Sequence, residues 1–504
     1  MKSEISLLEE PLLEFGDGNE LTDPHAGLSL FGPYDKNESG RPREISYALI
    51  GASSGIAAFK KFVKMLNRPL LHEQLQGANP NMEVERLWPP FPGFGAAFDC
   101  ELPDATRFEY AILDADIEAN VNDLDQHKRV FKLVNLYLEK IKMIAERDEN
   151  IKVVVCVEPD IVWKNCRPKS SIKQGGTGEK VSAREAAARR VYGDLFVQYD
   201  DQYDFSVDFR RQLKARVMEC RIPVQLIRES TLAHPPLKER PLTPISDRAW
   251  NLATALYYKA GGRPWKLAGA RDGVCYIGLT FRCSEDAKKD PKTACCAAQM
   301  FLDTGDGVVF RGEFGPWYSP DSKEFHLNHD VARNLLKGVI DTYRQQGGKA
   351  LTEIFLHSRS GFDEEELRGY QDACPPDVKL VGVRVSHRNR GIRLFRDGEW
   401  CVQRGTLWVI NRHRAYLWAS GFKPDLLTYD GWNIPSPIEI SILYGNADIK
   451  QVSRDILGLT KLNYNACKIG DALPVTVAFS DKVGEILISN PTIKQRLPQF
   501  RYYI

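Results

Sequence analysis

Residues Ile354–Asp363 read IFLHSRSGFD. An apolar strand, Ile354 to Leu356, runs into a polar turn at Arg359-Ser360-Gly361, the pattern of a buried sheet strand bounded by a turn. At its tip Ser360 offers a hydroxyl, and a hydroxyl cannot hold a metal ion as a carboxylate would. Whether the chain is an enzyme depends on what surrounds that serine.

Working outward, 504 residues with 43% apolar content suffice for two or three domains with proper cores. The acidic start MKSEISLLEEPLLEFGDGNE lacks a positively charged leader, and no run of 18 apolar residues occurs. A soluble, cytoplasmic chain with no membrane contact is expected. Eleven cysteines are scattered without CxxC spacing or partner histidines, which suits reduced thiols. The net charge of +1 neither supports nor excludes nucleic acid, because a basic groove can be balanced elsewhere.

Strand-like runs at Tyr47–Ala52, Phe108–Ala115 and Ile151–Pro159 alternate with helical stretches near Ala57–Leu66 and Asp125–Glu146. That alternation predicts an α/β fold with a mainly parallel sheet. An exposed loop is expected at Pro168–Lys180, then helices near Ala183–Tyr192 and Phe205–Cys220. The strand PVQLI (Pro223–Ile227) and a helix over Asp247–Lys259 follow. Gly261-Gly262 stops that helix, and a domain boundary is placed there. Beyond it, strands at Val274–Phe281, Val308–Phe314, Ile354–Ser358 and Lys379–Val385 surround a helix at Val331–Gln346, a second α/β domain.

After the first strand, GASSGIAAF (Gly51–Phe59) has the look of a dinucleotide-binding turn. Ala57 stands where the third glycine would be, and the lone Tyr-x-x-x-Lys, Tyr464 to Lys468, is far downstream. An ordinary strand-to-helix turn is the better reading.

Arg210 and Lys214 sit four apart on one expected helix, so their charges can converge on one anion. Gln225 enters on PVQLI, and Lys259 lies in the last turn of the helix ending KAGGRPWKL. Each alone has an ordinary explanation: a solvated helix face, a polar strand residue, a cation at a helix C-terminus. The set, in this order and beside IPVQ and KAGGRPWKL, is far more specific. It resembles the Argonaute family, whose MID domain grips the 5′-phosphate of a guide strand with a basic or aromatic residue, a Lys four later, a Gln and a second Lys.

The resemblance extends through YIGLTF, HSRSG, LLTYDGWNIPSP (Leu426–Pro437), LTKLNYN and LPVTVAFSDKVGEIL, which are similar to the PIWI domain. It implies a Rossmann-like MID domain over residues 1–262, with an N-terminal extension, and an RNase H-like PIWI domain over 263–504. No room is left for N and PAZ domains, which implies a short prokaryotic Argonaute. It further implies that Arg210, Lys214, Gln225 and Lys259 hold the guide 5′-phosphate, with Mg²⁺ bridged by Gln225 and the terminal carboxylate of Ile504.

RNase H-type cleavage needs carboxylates to hold two metal ions about 4 Å apart. Where the family carries its first catalytic Asp this sequence has Thr280, and where it carries Arg-Asp-Gly there is Ser360. The resemblance therefore implies a degenerate nuclease site. Two other Arg-Asp-Gly triplets, at Asp272 and Asp397, keep open a nuclease with displaced carboxylates, though both read as turns, the second as a hairpin turn. Arg384–Arg396 holds five arginines and no acid, so Arg384, Arg388, Arg390 and Arg393 are expected on a nucleic-acid backbone.

Short prokaryotic Argonautes act beside a protein with an APAZ region, often fused to a TIR or sirtuin-like domain. The resemblance thus implies a guide-RNA-loaded sensor of invading single-stranded DNA in prokaryotic immunity. The resemblance also implies that its heterodimeric partner, with TIR preferred over sirtuin-like, depletes NAD on oligomerising with it.

Overall fold

The computed structural model describes residues 3–71, 87–147, 149–170, 205–235, 242–283, 294–301, 307–315, 318–319, 324–345, 349–387, 391–429, 431, 433–489, 497 and 499–504. The chain opens with a short strand, β1 (Glu4–Leu7), whose partners come from far along the sequence.

Four strands build the first sheet: β2 (Tyr47–Gly51), β3 (Glu109–Ala111), β4 (Val153–Glu158) and β5 (Val224–Arg228), all parallel in the order β3-β2-β4-β5. β4 reads VVVCVE and is buried along its length, as a parallel strand covered on both faces must be. The covering helices are α1 (Ser53–Leu66), α2 (Gln126–Ala145), α3 (Phe209–Val217) and α4 (Ile245–Lys259). Phe59 and Leu256 of α1 and α4 enter one core, while Tyr137 and Leu213 of α2 and α3 enter the core on the other side. Asp125 and Asp208 start α2 and α3, their carboxylates accepting from His127 N at 2.9 Å and Arg211 N at 3.1 Å.

The glycine turn after β2 has a packing role. A Cβ on Gly55 would lie 2.8 Å from Val157 Cγ1, so α1 can lie this close to β4 only over a glycine.

The second sheet has nine strands. β6 (Val274–Cys283), β7 (Ala294–Phe301), β8 (Gly307–Gly315), β9 (Glu353–Ser358), β10 (Lys379–Ser386), β11 (Thr406–Asn411), β12 (Arg414–Leu417) and β13 (Ile438–Tyr444) join β1 in the order β1-β11-β12-β13-β10-β9-β6-β7-β8. β9 runs parallel to both β6 and β10, and the remaining pairs are antiparallel. One face is covered by α5 (His329–Gln345), whose Val331, Leu335 and Val339 form a stripe at helical spacing. α6 (Ile449–Leu459) and α7 (Val475–Ile488) contribute to the other core. At Gly278 on β6, a Cβ would collide with the carbonyl oxygen of Thr476 on α7, so the helix lies directly on the strand.

The N-terminal extension docks on the second sheet, where β1 pairs antiparallel with β11, Glu4 opposite Val409. Leu13–Glu14 pairs both with Glu20–Leu21 and with Lys266–Leu267, which also crosses the expected boundary. A buried charge cluster explains the crossing: Glu10 accepts from Arg404 at 2.8 Å and Lys461 at 2.9 Å, and Lys461 also donates to Pro11 O and Thr22 O. The strand expected over Phe108–Ala115 narrows to β3. Arg396–Gly398 turns, with Gly398 at φ 104°, but outside any strand, and the nearby hairpin is β11–β12. The helix expected at Ala183–Tyr192 and residues 171–180 of the expected loop lie outside the described residues. No helix among the described residues is long and apolar enough to cross a membrane.

Candidate nucleic-acid interface

The structure brings Arg210, Lys214, Gln225 and Lys259 to one place. α3 presents Arg210 and Lys214 on one face, about 100° round the helix from its buried Phe209 and Leu213. Gln225 projects from β5 beside them. Lys259, 1% exposed at the end of α4, donates to Gln225 Oε1 at 2.7 Å and to Val224 O at 2.9 Å. Lys214 Nζ lies 3.5 Å from the carbonyl oxygen of Tyr503, and Tyr503 and Ile504 are both buried.

Charge in this site is not balanced. Among the described residues neither Lys214 nor Lys259 has a carboxylate within salt-bridge distance. Burial, reinforced by Arg210 and Lys482, pushes the Lys214 ammonium down to about 7, while Asp208 opposes the shift. Burial, and then Lys214, holds Lys259 well below the usual lysine range. Desolvated ammonium groups that repel one another are costly unless an anion joins them. A cavity of about 480 Å³ opens beside them, lined by Arg210 and Gln225 and also by Phe62, Arg228 and Arg248.

Sequence reading missed three contributors. Lys482 arrives on α7, from the second sheet's side. Glu158, at the end of β4 and 1% exposed, accepts from Arg210 Nε at 2.7 Å. Arg228 is held by Asp160 and lies 3.8 Å over the Trp163 ring. Lys482 and Glu158 act across long separations in the chain, whereas Arg228 stands three residues past Gln225 on β5 and only its tie to Asp160 is distant in sequence.

The Mg²⁺ expected between Gln225 and the Ile504 carboxylate would share its site with two lysines: Gln225 Oε1 accepts from Lys259, and Lys214 lies 3.5 Å from the carbonyl oxygen of Tyr503, next to Ile504. A divalent ion there would need the phosphate's own oxygens and charge beside these two ligands.

Positions 280 and 360 also meet. β6 and β9 run side by side with Gly278 opposite His357, so Thr280 and Ser360 lie at the same end of neighbouring strands. The side chain of Thr280 is outside the described residues; Ser360 N donates to Ser358 Oγ at 3.1 Å. Asp272 is at the opposite end of β6, roughly 25 Å along an extended strand, where it pairs with Lys349 at 2.6 Å. Asp397 is exposed in the segment that follows β10. Arg384 on β10 and Arg393 are exposed, and Arg388 and Arg390 lie outside the described residues.

No protein-family model and no curated protein matches the chain. Solved structures do. Clostridium butyricum Argonaute bound to a guide DNA and a 19-mer target DNA matches all of this chain at 14% identity, with a TM-score of 0.63. Drosophila Piwi matches 99% of it at 13% identity and 0.60, and Aquifex aeolicus Argonaute all of it at 14% and 0.57. The chain spans 55%, 56% and 57% of those three chains. Its fold is that of Argonaute and Piwi proteins, a Rossmann-like MID unit followed by an RNase H-like PIWI unit.

Proposed function

We propose that this chain is a nucleic-acid-guided sensor that binds without cutting. A 5′-phosphorylated guide RNA seats its phosphate among Arg210, Lys214, Gln225 and Lys259, and invading single-stranded DNA pairs with the guide. Base pairing reads the sequence while the protein holds the backbone, as in other RNA-guided systems. The observation that carries this reading is the convergence of Arg210, Lys214 and Lys259 at Gln225, with no carboxylate of the described residues within salt-bridge distance of either lysine. A terminal phosphate, with nearly two negative charges and several acceptor oxygens, is the ligand that would balance their charge.

The absence of cutting is supported by the hydroxyl residues Thr280 and Ser360 at the strand ends where the family resemblance requires carboxylates. Output would then come from a separate APAZ-linked partner, with a TIR or sirtuin-like domain that consumes NAD, acting as a heterodimer in prokaryotic defence. The resemblance carries that part of the proposal.

The test measures affinity for one oligoribonucleotide with a 5′-phosphate and with a 5′-hydroxyl. A clear preference for the phosphate, lost on Lys214→Ala and Lys259→Ala, is expected. Equal affinities would overturn the assignment of the site.

A further inference from the structure

Glu158 poses a problem of sign. It is a carboxylate 1% exposed to solvent, and it stands one hydrogen bond away from a residue of the proposed anion site. Its negative charge ought to oppose any anion that binds there. Burial pushes its carboxyl upward, against the pull of Arg210. A group placed at such a disadvantage needs a compensating role.

The geometry supplies one. Glu158 Oε2 receives the Nε–H of Arg210, not a terminal amino group. A guanidinium held at Nε turns its side edge, the Nε–H and the terminal N–H parallel to it, to the carboxylate, and leaves its end edge, one N–H from each terminal nitrogen, pointing outward as a two-pronged fork. Among the described residues those nitrogens have no partner, and Arg210 is part of the cavity wall together with Gln225. The Arg210 side chain is 41% exposed, so without an anchor it would sample many rotamers at the mouth of the site. Arg228, on the same wall, is fixed in a related way, by Asp160 behind it and by stacking on Trp163.

We propose that Glu158 is the positioning residue of the anion site, fixing Arg210 through Nε so that both terminal amino groups face the bound phosphate. This rests on reading the site as a 5′-phosphate pocket. Preorganisation of that kind adds affinity by removing the cost of ordering the side chain on binding.

The experiment is a double-mutant cycle on Glu158→Ala and Arg210→Ala, reading affinity for 5′-phosphorylated and 5′-hydroxyl forms of one oligoribonucleotide. Glu158→Ala should weaken the phosphorylated form about five- to tenfold and the hydroxyl form little. Adding it to Arg210→Ala should cause no further loss, and Glu158→Gln, whose amide oxygen can still accept from Nε, should recover most of the affinity. Tighter phosphate binding in Glu158→Ala would show that the carboxylate only opposes the ligand, and would overturn the proposal. Equal losses for both ends, or additive losses in the double variant, would overturn it too. If Glu158→Ala fails to fold, the sign of the Glu158→Gln effect decides: near-unchanged preference supports positioning, and increased preference refutes it. Should Lys214→Ala and Lys259→Ala leave the phosphate preference intact, the pocket itself is misassigned, a failure distinct from that of Glu158 alone.

Discussion

Lys259 reaches Gln225 at 2.7 Å from the far end of a different helix, and this contact ties α4 to β5 at the floor of the anion site. The ammonium is buried without a carboxylate, so the contact positions a charge that it does not neutralise.

Removing that charge should separate stability from binding. Lys259→Met keeps most of the side-chain volume and relieves the desolvation of the cation, so the free protein should melt at a higher temperature. Its affinity for a 5′-phosphorylated oligonucleotide should fall about ten- to a hundredfold. Calorimetry and a binding titration on the same preparation check both signs.

The pH dependence should run in opposite directions with and without ligand. In the free chain Lys214 titrates at about 7, below its unfolded value of 10.5, so between those pH values the folded state binds fewer protons and stability should rise with pH. Phosphate binding needs the protonated lysine and should weaken as pH rises from 7 to 8.5. The phosphate itself is already dianionic in that window, its second pKa being about 6. Lys214→Arg should flatten the binding profile, because arginine stays charged throughout. A profile unchanged by that substitution would assign the titration to another group.

Incubation with guide, complementary DNA and Mg²⁺ or Mn²⁺ should leave the target intact. Asp272→Ala and Asp397→Ala should change nothing, since one is paired with Lys349 at the wrong end of β6 and the other is exposed beyond β10. Product strands on a denaturing gel that vanish with either variant would establish a nuclease.

Glu10→Ala should destabilise the chain by about 3–5 kcal/mol, because Arg404 and Lys461, 1% and 0% exposed in their side chains, would be left buried without a carboxylate. Burial opposes ionisation of Glu10, but these two cations hold its carboxyl below the usual range. Its contribution should therefore be present near neutrality and be lost as pH falls through the lowered folded value. Urea unfolding at two pH values measures it.

The parallel sheet and the shared face of Arg210 and Lys214 were legible because both rest on local periodicity, whereas Gln225 and Lys259 were joined to them only by the family resemblance. The apolar run VVVCV predicts a covered strand, and Arg210 and Lys214 share a face simply because a helix turns every 3.6 residues. What escaped was whatever depends on register between distant segments. EISL is too short to show a strand pattern, and nothing near Glu10 names Arg404 as its partner. Lys482 and Glu158 were missed for the same reason, since a charge's effect at a site depends on distance in space, and no spacing rule reaches from Arg210 to Glu158 or from Lys214 to Lys482. The turn at Gly51–Phe59 misleads in the other direction: close helix-to-strand packing at Gly55 requires the same small residue as close approach of a pyrophosphate.

The docking of β1 on β11 also bears on how the protein is made. Glu10 and Arg404 are 394 positions apart, and a ribosome adding about 5–20 residues per second needs roughly 20–80 s to cover that distance. Throughout that interval the segment carrying Ile5 and Leu7 has no partner strand, and both stay more than half exposed even in the finished fold. The segment that carries β1 is therefore among the last of this chain to find its place. A nascent chain halted before residue 404 should present β1 unpaired to chaperones and proteases, although its parallel sheet is already complete.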